Sequence, residues 1–423
     1  MAGATVILYG VPSQILDRKV ARLSWRGLTF EPNEAFTVSE GLALRGDQAL
    51  TLGFDAGLII DIPASIRGSR VRSNNPQAIG IGDDRFVGGP IIYTRLYAAA
   101  AGEGRLVWMD FAPHFEDHSS NINIDYFNAL IASIFRYLLK KPHSSLAMWP
   151  HGRSFAGLIE QDTEDQYTNA EKVAALVRRN GYPITWFILS NLAQKHRALT
   201  IELSETGEVA CHGDSHLPFT KSDHSTQIVR IARCRKVLEE ITGKAPYGFR
   251  PPEEKFDRLT LDAVYNNGMS YILGEAGTDR VVPRLLAAGD YAQLVSIPRA
   301  VYDDFNLWVD SDLNLTESRE LIENQLKWIS TLGGIYVLSF HSQMMGDADH
   351  IGIVDYTAQE LLDRKAFFAT ASDIAQWWRV RADLISGKTV DHGLIERYGP
   401  VSLSVTADGE LVRKPLMINH GGT

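Results

Sequence analysis

The segment FAGLIEQDTED, residues 155–165, passes from apolar to acidic within a few positions. Residues 155–161 read as a strand, and Asp162-Thr163-Glu164-Asp165 places three carboxylates where that strand ends. Further strand-like runs follow at 184–189, 208–211, 247–250, 269–273, 294–297 and 335–340. Helical patterns lie between most of them, at 169–180, 222–241, 259–267 and 316–332. Strand and helix thus alternate about seven times, which predicts an α/β barrel or a doubly wound parallel sheet. In either architecture the chemistry gathers at the carboxyl ends of the strands.

Upstream, short apolar runs at 50–54, 57–60, 90–93 and 105–111 read as strands. Residues 124–139 carry Phe127, Leu130, Ile131, Ile134, Phe135 and Leu138 at three- and four-residue spacing, one face of an amphipathic helix. The charged, proline- and serine-bearing KKPHSS at 140–145 predicts a linker over about 140–150. Near the end, strand-like 403–406 and 410–412 flank Asp408-Gly409, the turn dipeptide of a hairpin. The expected organisation is a smaller α/β domain over 1–145, a catalytic barrel over 150–384 and a β-rich tail over 385–423.

The 423 residues are 45% hydrophobic and 22% charged, the composition of a folded chain. With 42 Lys and Arg against 51 Asp and Glu, the net charge of -9 has the wrong sign for capturing a phosphate backbone, so nucleic acid is not an expected partner. The two cysteines, Cys211 and Cys234, cannot build a disulfide framework or a four-thiolate zinc site. The opening MAGATVILYGVPSQ lacks the basic and long apolar runs of a secretory leader, and no run approaches the ~18 apolar residues of a membrane span. The compartment is left open: cytoplasmic on this sequence, exported if a leader precedes it.

His212 and His216, in HGDSH, have a spacing able to offer two imidazoles to one zinc ion. His212 follows a strand, and the 162–165 carboxylates end another strand of the same α/β region. Two imidazoles and a carboxylate leave a coordination position open, the catalytic type of zinc set. The competing reading makes the acidic cluster a helix-start signal and the histidines solvated. Arg250, before Pro251 and Pro252, leaves a strand where it can aim a carboxylate, and His341 ends the most apolar strand, where an imidazole can act as general acid. A surface ion pair for Arg250 and a satisfied core histidine for His341 are the structural alternatives. A second pair, His114 and His118 near Asp110, has no such company at comparable strand ends and is explained by a solvated loop.

Over roughly 155–383 the chain resembles the polysaccharide deacetylases that share the NodB homology domain. QDTED is similar to the first motif of that family, HGDSH to the second, TGKAPYGFRPP at 242–252 to the third and LSFH at 338–341 to the last. IPRAVYDD at 297–304 is similar to a stretch of the divergent subgroup with one residue between the two acids. The resemblance implies a distorted (β/α)7 barrel and a metal-dependent hydrolysis of an amide, with an N-acylated sugar or polysaccharide as substrate. It implies Asp162 as base, His341 as acid, and Glu164, His212 and His216 as ligands of a divalent ion, most simply Zn2+, with Asp165 competing for the place of Glu164. Arg250 and Pro251 fall at the substrate side of the third motif, and Trp308 and Asp310 are the candidates for the segment supporting the acid. A metal-independent amidohydrolase on a small cyclic amide, or an inactive carbohydrate-binding or assembly module, are the alternatives. The region around residues 104–108 resembles the end of a class I glutamine-amidotransferase-like domain. With both cysteines beyond residue 210, residues 1–150 offer no thiol nucleophile.

Overall fold

A computed structural model describes residues 5–9, 23–32, 41–61, 69–81, 92–101, 103–111, 121–276, 280–286 and 294–416. The chain divides into two compact units, one of Met1–Ser154, Lys327–Gly334 and Glu396–Thr423, the other of Phe155–Leu326 and Ile335–Ile395.

In the first unit a six-stranded sheet has the order β1-β9-β8-β7-β4-β5, from β1 (Val6–Tyr9), β4 (Gly41–Leu44), β5 (Ile59–Asp61), β7 (Pro76–Ile81), β8 (Ile92–Ala101) and β9 (Gly104–Met109). Only β1 and β9 pair parallel; the rest are antiparallel. β2 (Leu23–Trp25), β3 (Leu28–Pro32) and β6 (Ser69–Ser73) form a separate three-stranded sheet. Helix α1 (Asn121–Leu138) buries Phe127, Leu130, Ile134 and Leu138 of the predicted face, with Ile131 partly buried, while Phe135 is exposed, the apolar stripe being narrower than its spacing suggests.

Two upstream expectations fail for identifiable reasons. Residues 50–54 are a turn: Thr51 N and Phe54 N donate backward to Gln48 O and Thr51 O, while Leu50 and Leu52 are buried without strand pairing. An apolar run fills a core equally well as turn or strand, so composition could not separate them. Within the predicted linker lies β10 (His143–Leu146), antiparallel to β20 (Val401–Val405), which pairs in turn with β21 (Leu411–Pro415). The partner of β10 is over 250 residues away, beyond any local signal. His114 and His118 lie outside the described residues.

The second unit carries seven parallel strands in the order β17-β15-β14-β13-β12-β11-β18. These are β11 (Ala156–Thr163), β12 (Thr185–Leu189), β13 (Glu208–Gly213), β14 (Gly248–Phe249), β15 (Tyr271–Ala276), β17 (Val295–Arg299) and β18 (Ile335–His341). Short β16 (Arg284–Leu285) runs antiparallel to β17, and β19 (Phe367–Phe368) pairs with the start of β11. The sheet is curled into a distorted (β/α)7 barrel, and helices occupy the predicted intervals: α2 (Ala170–Asn180), α5 (His224–Thr242), α6 (Arg258–Asn266) and α7 (Leu315–Leu332). Four further helices lie outside the intervals expected from the sequence: α3 (Ser190–Lys195), α4 (Arg197–Thr206), α8 (Ala348–Asp363) and α9 (Ala371–Ile385). No described helix is long and apolar enough to cross a membrane.

Candidate metal centre and active site

Strand register sets the first contact. In the parallel ladder Asp162 of β11 lies opposite His341 of β18, and Glu160 lies opposite Ser339. Paired residues project to one face, so two strand ends about 180 positions apart in sequence deliver a carboxylate and an imidazole side by side. On the other side, Arg250 N donates to Cys211 O at 2.9 Å, which brings the residue after β14 next to His212.

His212 is buried, and its Nδ1 bonds Arg250 O at 2.9 Å. With a carbonyl as acceptor, Nδ1 carries the proton and the lone pair stays on Nε2. That Nε2 is buried and has no hydrogen-bond partner, lying 3.9 Å from Glu164 Oε2. His216 is half-exposed, and its Nε2 is 2.7 Å from the same carboxylate oxygen. One ligand atom from each of Glu164, His212 and His216 lies within 4.8 Å of the others. An unpartnered buried imidazole nitrogen aimed at a carboxylate and a second imidazole fits a divalent ion, with two nitrogens and an oxygen as the donor set of an open zinc site. Asp165, the competing ligand, is exposed and stands outside this cluster.

The turn between the histidines depends on Gly213, whose φ of +114° is a conformation side chains rarely adopt. The loop beyond is held from α5: Arg230 Nε and Arg233 Nη1 reach Asp214 at 2.8 and 3.1 Å, and Arg230 Nη2 donates to Leu217 O at 2.8 Å.

Asp162 is buried, with Arg250 Nε at 2.8 Å, His341 Nε2 at 3.6 Å and His212 Nδ1 at 3.7 Å. Burial alone would raise its pKa, but Arg250 and the two imidazoles draw it below the ordinary carboxylate range, so it is ionised at neutral pH. Arg250 is itself buried and serves three further groups: Glu254 Oε1 at 2.8 Å, Ser339 Oγ at 2.9 Å and Glu160 Oε1 at 3.5 Å. This is the position of a group that orients Asp162, and Pro251 is likewise buried, its carbonyl accepting from Glu254 N at 3.0 Å. Glu253 and Glu254 adopt φ of 59° and 53°, left-handed conformations that cost roughly 1–3 kcal/mol each. The Glu254 carboxylate offsets part of that by bridging Arg250 to Arg299, whose Nε and Nη2 meet it at 2.8 and 2.7 Å. Glu160 is fully buried, and burial pushes its carboxyl above the usual range. Arg250→Met would leave the buried Asp162 without its cation and Glu254 with Arg299 alone, and it is expected to cost about 3–5 kcal/mol of unfolding free energy in denaturant titrations.

His341 is held by one carboxylate. Its Nδ1 donates to Asp304 Oδ1 and its backbone N to Asp304 Oδ2, both at 2.6 Å, and Phe305 packs edge-on against the ring. Burial opposes the charged imidazole, yet Asp304 outweighs it and pushes the His341 pKa up to about 10. His341 therefore carries a proton through the neutral range and can donate it. The sequence candidates for this support were Trp308 and Asp310, and the structure corrects them. Trp308 stacks on His350 and bonds Ser318, and Asp310 accepts from Asn306. Asp304 was legible as the last residue of IPRAVYDD, but only the register of β18 shows which histidine it meets. Asp304→Asn removes the charge that raises His341, so the alkaline limb of the pH–rate profile is expected to move to lower pH by ~1–3 units.

Residues 161–272 match the family model for polysaccharide deacetylase. A peptidoglycan deacetylase-like protein of Gibberella zeae is 31% identical over 97 residues, which make up 23% of this chain and 29% of that protein, so the chain spans under a third of that relative. Among solved structures, one from Mycobacterium smegmatis assigned to the polysaccharide deacetylases is similar with a TM-score of 0.51 at 21% identity, over 56% of this chain and 94% of that one. The Puue allantoinase gives 0.50 at 14% identity, over 55% of this chain and 92% of that one. These two likenesses bear on the fold alone. Family match, barrel and strand-end motifs agree on the same stretch, and residues 161–272 are similar to a polysaccharide deacetylase domain.

Proposed function

We propose that the protein hydrolyses the amide of an N-acetylated sugar, as part of a polysaccharide, with the aid of a divalent ion. The observation that carries this reading is the convergence of Glu164, His212 and His216 beside an arginine-held Asp162 and an Asp304-held His341. A divalent ion, most simply zinc, held by Glu164, His212 and His216 would supply Lewis acidity, polarising the acyl carbonyl and lowering the pKa of water. Asp162 accepts the proton of the attacking water. Arg250 fixes the direction of that carboxylate and keeps it ionised. His341 gives its proton to the departing nitrogen, so the amine leaves neutral.

The basicity of Asp162 argues for metal assistance. Moving a proton from bulk water, pKa 15.7, to a carboxylate near 3.9 costs about 16 kcal/mol, and lowering the water's pKa to ~7 reduces that to about 4 kcal/mol. Asp162 lies below the ordinary carboxylate range, which makes an unassisted transfer costlier still. The test is acetate release from an acetylated chitooligosaccharide by metal-stripped protein, before and after zinc is restored, with a small cyclic amide as the contrasting substrate. Zinc-dependent acetate release supports the reading; turnover of the cyclic amide alone, indifferent to metal, contradicts it. Residues 1–150 hold no cysteine, and the assignment of that unit as a non-catalytic, amidotransferase-like module belongs to this proposal.

A further inference from the structure

Glu164 stands just past the end of β11, outside the ladder that fixes Asp162, and a glutamate has one more rotatable bond than an aspartate. Two residues following β18 hold it. Glu164 N donates to Ser342 Oγ at 2.9 Å, and Ser342 Oγ donates to Asp165 O at 2.8 Å, so one hydroxyl pins the backbone on both sides of the peptide. Gln343 Nε2 donates to Glu164 Oε1 at 2.9 Å. The other oxygen, Oε2, is the one that faces His216 and His212. Among the described residues this is the hydrogen bond of the Gln343 amide, whose Oε1 is buried without a partner. The reverse amide orientation would set oxygen against carboxylate oxygen, so the donor assignment follows from the network.

We propose that Gln343 is a positioning residue that holds Glu164 to ligation through the single oxygen Oε2, by occupying Oε1. The inference rests on the reading of Glu164, His212 and His216 as a divalent-ion site. Partners that orient ligands in this way are worth about 10–100-fold in metal affinity.

The test is a zinc competition titration against a chromophoric chelator for the wild type, Gln343→Leu, Glu164→Asp and the double variant, with the unfolding midpoint of each metal-free protein. Gln343→Leu is expected to weaken zinc binding ~10–100-fold while the metal-free midpoint stays near that of the wild type. In the Glu164→Asp background the shorter side chain no longer reaches Gln343, so the leucine substitution should cost nothing more. Equal affinity in wild type and Gln343→Leu, or the same loss in both backgrounds, overturns the proposal. Wild-type protein that binds zinc no better than His212→Ala overturns the metal reading itself, a different result from the first. Gln343→Met, unbranched and close in shape, carries the same comparison if the leucine variant does not fold.

Discussion

His212→Ala is expected to abolish zinc uptake and hydrolysis together. Nε2 of His212 is a buried nitrogen with no hydrogen-bond partner, and its ring is fixed by the bond from Nδ1 to Arg250 O. Losing the charge stabilisation that a bound ion provides, several kcal/mol, corresponds to a fall of ~10³-fold or more in kcat/KM. The substitution also strips the Arg250 carbonyl of its donor, at about 1–3 kcal/mol of stability. A denaturation curve therefore accompanies the metal analysis, to separate a folded, metal-free enzyme from an unfolded one. Folded His212→Ala protein that retains zinc and turnover would remove the foundation of the mechanism.

The second large effect is Asp162→Asn, which keeps the shape of the side chain and removes its proton-accepting charge. General-base contributions of this kind amount to ~10²–10⁴-fold, expected here in kcat, with zinc affinity little changed because Asp162 stands outside the cluster of three. That division between rate and affinity distinguishes a base from a ligand: a variant that loses zinc instead would make Asp162 part of the coordinating set. The neutral amide also leaves Arg250 with Glu254 as its charged neighbour at 2.8 Å, so a moderate loss of stability accompanies the loss of rate.

Sequence alone supplied the succession of strands and helices from residue 155 onward, because each strand is a short apolar run and most intervening helices carry a periodic face. It also supplied the strand-end residues Asp162, Glu164, His212, His216, Arg250 and His341, since chemistry in such barrels gathers at those ends. What it could not supply was distance. Glu164 and Asp165 are adjacent in the chain, and only the path of the backbone after Thr163 turns one toward the histidines and leaves the other in solvent. The support for His341 by Asp304, the bridge through Glu254 to Arg299, and the hold of Gln343 on Glu164 join residues about 37 to 180 positions apart. No periodicity or local propensity carries such pairings. They are fixed when parallel strands lock into register and the buried charges find the partners that make their burial tolerable.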